Sequence, residues 1–95
     1  VSEAVATVRV GAYDFDVHLV RDLSYGDDDL NGHIKHDECL ILIDEDAAPQ
    51  VQRVVLWHEM LHSILVQAGF AEQDERLIEA VSHGIVQVLR DNPDL

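Results

Sequence analysis

His58, Glu59 and His62 stand in the stretch VVLWHEMLHSIL, residues 54–65, in the order H-E-x-x-H. On a helix, residues four apart point the same way, one turn above the other, so the two imidazoles can hold one Zn²⁺ at ~2.0–2.1 Å. Glu59 is then turned by about a hundred degrees from His58. It reaches a water beside the metal without taking a ligand position, and it can remove that water's proton to make a nucleophile. The chemistry on offer is hydrolysis, that of a peptide bond above all. Two ligands and a base do not complete such a site, which needs a third protein ligand and an open fourth position.

The residues that can supply the third ligand follow the motif: Glu72, Asp74, Glu75, Glu79 and His83. Glu75, Glu79 and His83 are spaced by four and form one ridge of a helix. By geometry alone Glu79 and Glu75 are nearly equal candidates. His83 reads as an outer partner of Glu79, of the kind that orients a ligand. No donor for a developing oxyanion stands out, and Tyr13, Tyr25, His33 and His36 are the residues that could provide one.

These residues need elements to position them, and the hydrophobic period supplies two kinds. In AVATVRV and FDVHLV apolar and polar residues alternate about the turn GAYD, which predicts a β-hairpin. HIKHD and the apolar run CLILI read as further strands, the second of them buried. After DEDAAPQ the period changes to about 3.6, with Val51, Val54, Val55, Trp57, Leu61, Ile64 and Leu65 as the stripe of a first helix. Pro49 suits its first turn and Gly69 its C-terminal cap. A second helix is expected over Asp74–Arg90, with Leu77, Ile78, Val81, Ile85, Val88 and Leu89 as its apolar face, and Asn92-Pro93 stops it. The short connection predicts antiparallel packing. The 95 residues fit one domain, β-rich over 1–45 and helical over 46–92. The expected fold is α+β: a sheet of three or four strands packed with two C-terminal antiparallel helices, a minimal zincin-like arrangement.

With motif and elements in place, LWHEMLHSIL followed by DERLIEAVSHGIVQVL resembles the ImmA/IrrE-type zinc metallopeptidases, in particular the short phage-encoded members. The resemblance runs from Asn31 onwards and is weak over the first hairpin. It implies a β-rich start, zinc as cofactor, and a Glu ligand on the helix after the motif. The family pattern places an Asn-like residue four positions beyond that Glu, then an aliphatic run. Glu79 with His83 and GIVQVL fits this better than Glu75 with Glu79, so the resemblance implies His58, His62 and Glu79 as ligands, with Glu75 in reserve and Glu59 as catalytic base. His83 in the Asn position is a departure. Larger members cleave repressor or regulator proteins in the cytoplasm, which implies a protein or peptide substrate here.

Composition narrows the alternatives. The net charge is -13, from 19 acidic and 6 basic residues. Phosphate backbones and anionic membrane surfaces both demand clustered Lys and Arg, so neither nucleic acid nor membrane is an expected partner. A cationic protein segment or a metal cation suits such a surface. The N-terminal stretch lacks the pattern of a secretory signal, and one cysteine, Cys39, fits a reducing cytoplasm. Cys39 is read as core and His18 as surface. A second motif, DDDLNGHIKHDE from Asp27 to Glu38, matches a calcium-binding loop with Gly32 at its sharp turn. Its flanks are strand-like where an EF-hand needs helices, so it is read as a solvated turn with Gly32 left-handed. The competing function is a non-catalytic zinc-containing interaction module, such as a phage accessory protein.

Overall fold

The computed structural model describes residues 4–25, 28–29 and 31–95, with Ser24, Tyr25, Asp28 and Asp29 described by their backbone alone. Strands β1 (Ala6–Val10) and β2 (Tyr13–Val20) form the expected hairpin, and Gly11 turns the chain at φ +59°. Two short strands, β3 (Ser24–Tyr25) and β4 (Asp28–Asp29), pair with each other. Strand β5 (Gly32–Lys35), a 3₁₀ turn (His36–Glu38) and strand β6 (Leu40–Asp44) complete the β-rich half. Helices α1 (Pro49–Gln67) and α2 (Glu75–Asp91) follow. The main sheet has the order β1-β2-β6-β5, with β6 parallel to β2 and β5 antiparallel to β6 at the edge. The fold is α+β, as the change of period predicts. No helix among the described residues is long and apolar enough to cross a membrane.

The core lies between the sheet and α1. Val10, Phe15, Val17, Ile41 and Ile43 are buried on one sheet face, with Val55, Leu56 and Met60 of α1 packed against them. Two glutamines fix α1 at its ends. Gln52 donates from Nε2 to the carbonyls of Asp44 (3.0 Å) and Glu45 (3.3 Å) at the end of β6. Gln67 donates to the Val10 carbonyl (2.7 Å) and accepts from the Ala12 N–H (2.9 Å), which holds the other end on the hairpin turn. The helix ends in a Schellman motif. Phe70 N–H bonds to the Leu65 carbonyl at 2.8 Å and Gly69 N–H to that of Val66 at 3.1 Å, with Gly69 at φ +99°. Asp74 caps α2 by accepting from the N–H groups of Arg76 and Leu77.

The apolar stripes differ from the sequence expectation in what they bury. On α1 the sheet-facing positions include Glu59 and Ser63, both buried, while Val51 and Ile64 are exposed. The periodicity marks a face for α2 as well as one for the sheet, and the two overlap. On α2 only Ile78 of the expected stripe is buried; Leu77, Val81, Val88 and Leu89 are exposed. The helix packs chiefly on α1 and covers only a narrow strip of it. His18, expected at the surface, is half-buried, and Cys39 packs against the core in a left-handed conformation.

Gly32 is also corrected. It sits in β5, not in a left-handed turn, and its missing side chain is what matters. A Cβ there would fall far inside contact distance of Val55 Cγ1, 3.3 Å from the Leu42 carbonyl oxygen and 3.4 Å from Glu59 Oε2. Glycine thus lets α1 settle directly on the edge strand. With β5 extended and β6 following, the Asp27–Glu38 segment lacks the flanking helices of an EF-hand; Asp27 itself lies outside the described residues. Gly32→Ala is expected to lower the unfolding free energy by about 1–3 kcal/mol through overpacking. That outweighs the ~0.4–1 kcal/mol gained by restricting the unfolded chain. Urea denaturation measures the difference, and a variant as stable as the wild type would contradict the close approach.

Candidate metal centre

Helix α1 brings His58 and His62 together as their spacing predicts. The rings meet edge-on with centroids 4.8 Å apart, and the two Nε2 atoms stand 3.1 Å from each other. Ligand-type atoms of His58, Glu59 and His62 all lie within 4.8 Å. The carboxylate that faces both imidazoles is Glu75. Its Oε2 is 3.1 Å from His58 Nε2 and its Oε1 is 2.9 Å from His62 Nε2. Glu79 lies on the other side of His58, with Oε2 at 2.8 Å from Nδ1. His83 bonds to Glu79 through Nε2 at 2.9 Å, as expected of an outer partner. Glu75, the reserve candidate, is thus the carboxylate that faces both imidazoles, while Glu79, the ligand that the family resemblance implies, bonds to His58 from its far side.

The hydrogen bonds orient both rings. A carboxylate only accepts, so His58 Nδ1 donates to Glu79. The Glu79 carboxyl is held below its ordinary range. Its slight burial works the other way, but the hydrogen bonds from His83 and His58 outweigh that. His62 Nδ1 meets Gln73 Oε1 at 2.5 Å. The Nε2 atoms of both imidazoles consequently point inwards, at each other and at the Glu75 oxygens. Two imidazole nitrogens and a carboxylate converging in this way are donor atoms of the kind a metal cation takes. Tetrahedral coordination with bonds of ~2.0–2.1 Å places donor atoms about 3.3 Å apart. The observed separations of 2.9–3.1 Å come within a few tenths of that. The residues present thus fit a small metal cation, zinc among them.

Glu59 points to the opposite side of α1 from α2, towards Gly32 on the edge strand. It is 6% exposed. Burial pushes its carboxyl above the ordinary range; His58 and His62 pull it back, and the charges of Glu75 and Glu79 push it up again. A carboxyl so placed holds a proton more readily than a free one, as a general base working near neutral pH requires.

Two cavities meet at this point. One, of about 750 Å³, is walled by Val51, Val54, Val55 and Val86. The other, of about 540 Å³, is lined by His33, His36, Ala71 and Gln73, and both include Gly32, His58 and Glu59. Of the four oxyanion candidates, His36 has its Nε2 shut off from solvent and its ring edge-on to Phe15, so that nitrogen is out of reach. Tyr13 lies next to Phe15 and lines neither cavity. His33 lines the second cavity, and the side chain of Tyr25 is outside what the structure describes. Gln73 is the contributor that sequence reasoning misses. An amide in a short connection gives no signal until the loop is folded.

Comparison of the chain with models of known families, with curated proteins and with solved structures gives no match.

Two outcomes follow from this geometry. Glu75→Gln is expected to weaken zinc binding by more than Glu79→Gln, whose loss should lie near the 10–100-fold typical of an outer partner. Competition with a chromogenic chelator measures both, and the reverse order would restore Glu79 as ligand. The second outcome concerns Glu59. A carboxyl raised in the folded state contributes stability that is fully present below its unfolded pKa of ~4.3 and is lost as pH rises through the folded value. Metal-free Glu59→Gln should therefore melt higher than the wild type at neutral pH, with the gap closing in acid. Equal melting at both pH values would show that Glu59 bears no burial penalty.

Proposed function

We propose that this protein is a minimal zinc-dependent metallopeptidase. The observation that carries the proposal is the convergence of three groups able to ligate a metal, His58 Nε2, His62 Nε2 and the Glu75 carboxylate, beside the buried carboxyl of Glu59. Zinc bound there would supply a Lewis acid that polarises the scissile carbonyl and makes a neighbouring water acidic. The rest falls to the chain's own residues. Glu59 takes the proton of the attacking water on its carboxylate and returns it to the departing amine nitrogen. Glu79, backed by His83, keeps His58 turned so that Nε2 faces the site, and Gln73 stands in the same relation to His62.

Strand β5 supports a peptide as substrate. It is the edge of the sheet and runs past Glu59, so an extended peptide can pair with its backbone and lie across the site. The two cavities that meet at Gly32 and Glu59 give side chains room on either side of the scissile bond. The net charge of -13 favours peptides with basic residues. Membership of the ImmA/IrrE type, a regulator protein as target and a cytoplasmic location belong to this same proposal, on the strength of the motif and the single Cys39.

A second reading has one observation in its favour. The exposed apolar residues Leu77, Val81, Val88 and Leu89 of α2 suit an interaction module in which zinc is only structural. The position of Glu59 separates the two readings, since a structural zinc site does not need a buried base beside it. In the test, zinc-loaded wild type and Glu59→Gln are compared on a mixture of quenched fluorescent peptides. Equal zinc content with hydrolysis reduced by about 10²–10⁴-fold in the variant is expected. A fully loaded wild type that cleaves nothing, or a variant as active as the wild type, would overturn the peptidase reading in favour of the module.

A further inference from the structure

Among the described residues, Gln73 makes more of the contacts that join the α1–α2 connection to the metal centre than any other residue of that connection. Its Nε2 donates to the Phe70 carbonyl at 2.8 Å and to the His62 carbonyl at 3.4 Å, and its Oε1 meets His62 Nδ1 at 2.5 Å. The direction of the amide is therefore determined. Two carbonyl oxygens can be met only by N–H, so the amide nitrogen faces them and the amide oxygen faces the imidazole. An amide oxygen only accepts, so His62 Nδ1 must be the donor. The other ring nitrogen, Nε2, is thereby turned towards His58 Nε2 and Glu75. One side chain thus fixes the rotation of His62, with Nδ1 bonded outside the site and Nε2 facing into it.

The same amide fixes the loop. Phe70 is the residue whose N–H closes the Schellman motif of α1, and Gln73 immediately precedes Asp74, the cap of α2. Glu75 is the first residue of that helix. Holding Phe70 and His62 to Gln73 sets where α2 starts along α1, and so sets which carboxylate of the Glu75–Glu79–His83 ridge comes level with the imidazoles. A slide by one turn, ~5.4 Å, would bring Glu79 to the place of Glu75.

We propose that Gln73 is a positioning residue of the metal centre, turning His62 so that Nε2 faces the site and placing Glu75 as third ligand through the same amide group. The inference rests on the metal-centre reading above. It makes the short connection between the helices a working part of the site.

The test measures Zn²⁺ affinity by chelator competition and the visible spectrum of the Co²⁺-loaded protein, on the full chain. Gln73→Leu removes both the acceptor and the donors, and is expected to weaken zinc binding by about 10–100-fold and to alter the cobalt spectrum. Gln73→Glu keeps an acceptor for His62 Nδ1 but loses the donors that hold the connection, and is expected to recover part, not all, of the affinity lost in Gln73→Leu. Both variants lose the bonds to Phe70 and His62 carbonyls, so the melting temperatures of their metal-free forms should fall alike. The added charge is controlled by the double variant Ala71→Glu/Gln73→Leu, which puts a carboxylate in the same cavity without the acceptor and is expected to stay weak. Gln73→Leu with wild-type affinity, Gln73→Glu as weak as Gln73→Leu, or rescue by the double variant would each overturn the proposal while leaving the metal centre standing. A wild type that binds no zinc would remove the metal-centre reading, and this inference with it.

Discussion

Two imidazole nitrogens facing each other across 3.1 Å, with a carboxylate beside them, are the constraint on which the rest of this structure depends. Groups so close, with a carboxylate that only accepts, need positive charge or protons among them. A divalent cation would satisfy all three groups together. The acidic surface fits the same logic, since it raises the local concentration of cations.

The fold serves this constraint by making α1 rigid relative to the sheet. Gln52 and Gln67 tie its two ends to β6 and to the hairpin turn, and Gly32 lets its middle press onto the edge strand. The histidines then look outward to α2, while Glu59 looks inward to β5. The cost is a buried carboxyl in the sheet-facing layer, where an apolar residue would be more stable. The proposed peptidase would put that loss to use, with the histidines holding a metal and Glu59 activating a water.

Much of this was legible in the residues. The alternation of HLV and LILI, the change of period after Pro49, and the cap signals Gly69 and Asp74 lead to the main strands and both helices, although β2 begins two residues earlier, inside the expected turn, and the expected strand HIKHD ends at Lys35 in a 3₁₀ turn. The pair His58 and His62 and the isolated Glu59 are legible because helical spacing alone sets their directions. Which carboxylate comes level with both imidazoles was not, since Glu75 and Glu79 occupy the same ridge and differ only by one turn of axial position. That position depends on the Schellman turn and on Gln73, which are contacts between segments and leave no periodic trace. The α2 stripe misled for a related reason. A pattern records which residues are apolar, and cannot record how narrow a face the neighbouring helix covers. Gly32 misled because glycine in a polar sequence suggests a turn, whereas here it makes room for Val55.

The most direct test of the account is a crystal of the zinc-loaded protein, with diffraction recorded on either side of the zinc absorption edge. The account predicts one anomalous peak, ~2.0–2.2 Å from His58 Nε2, His62 Nε2 and a Glu75 oxygen, with a fourth position open towards Glu59. A peak bonded to Glu79 instead of Glu75, or no peak between the two histidines, would contradict it.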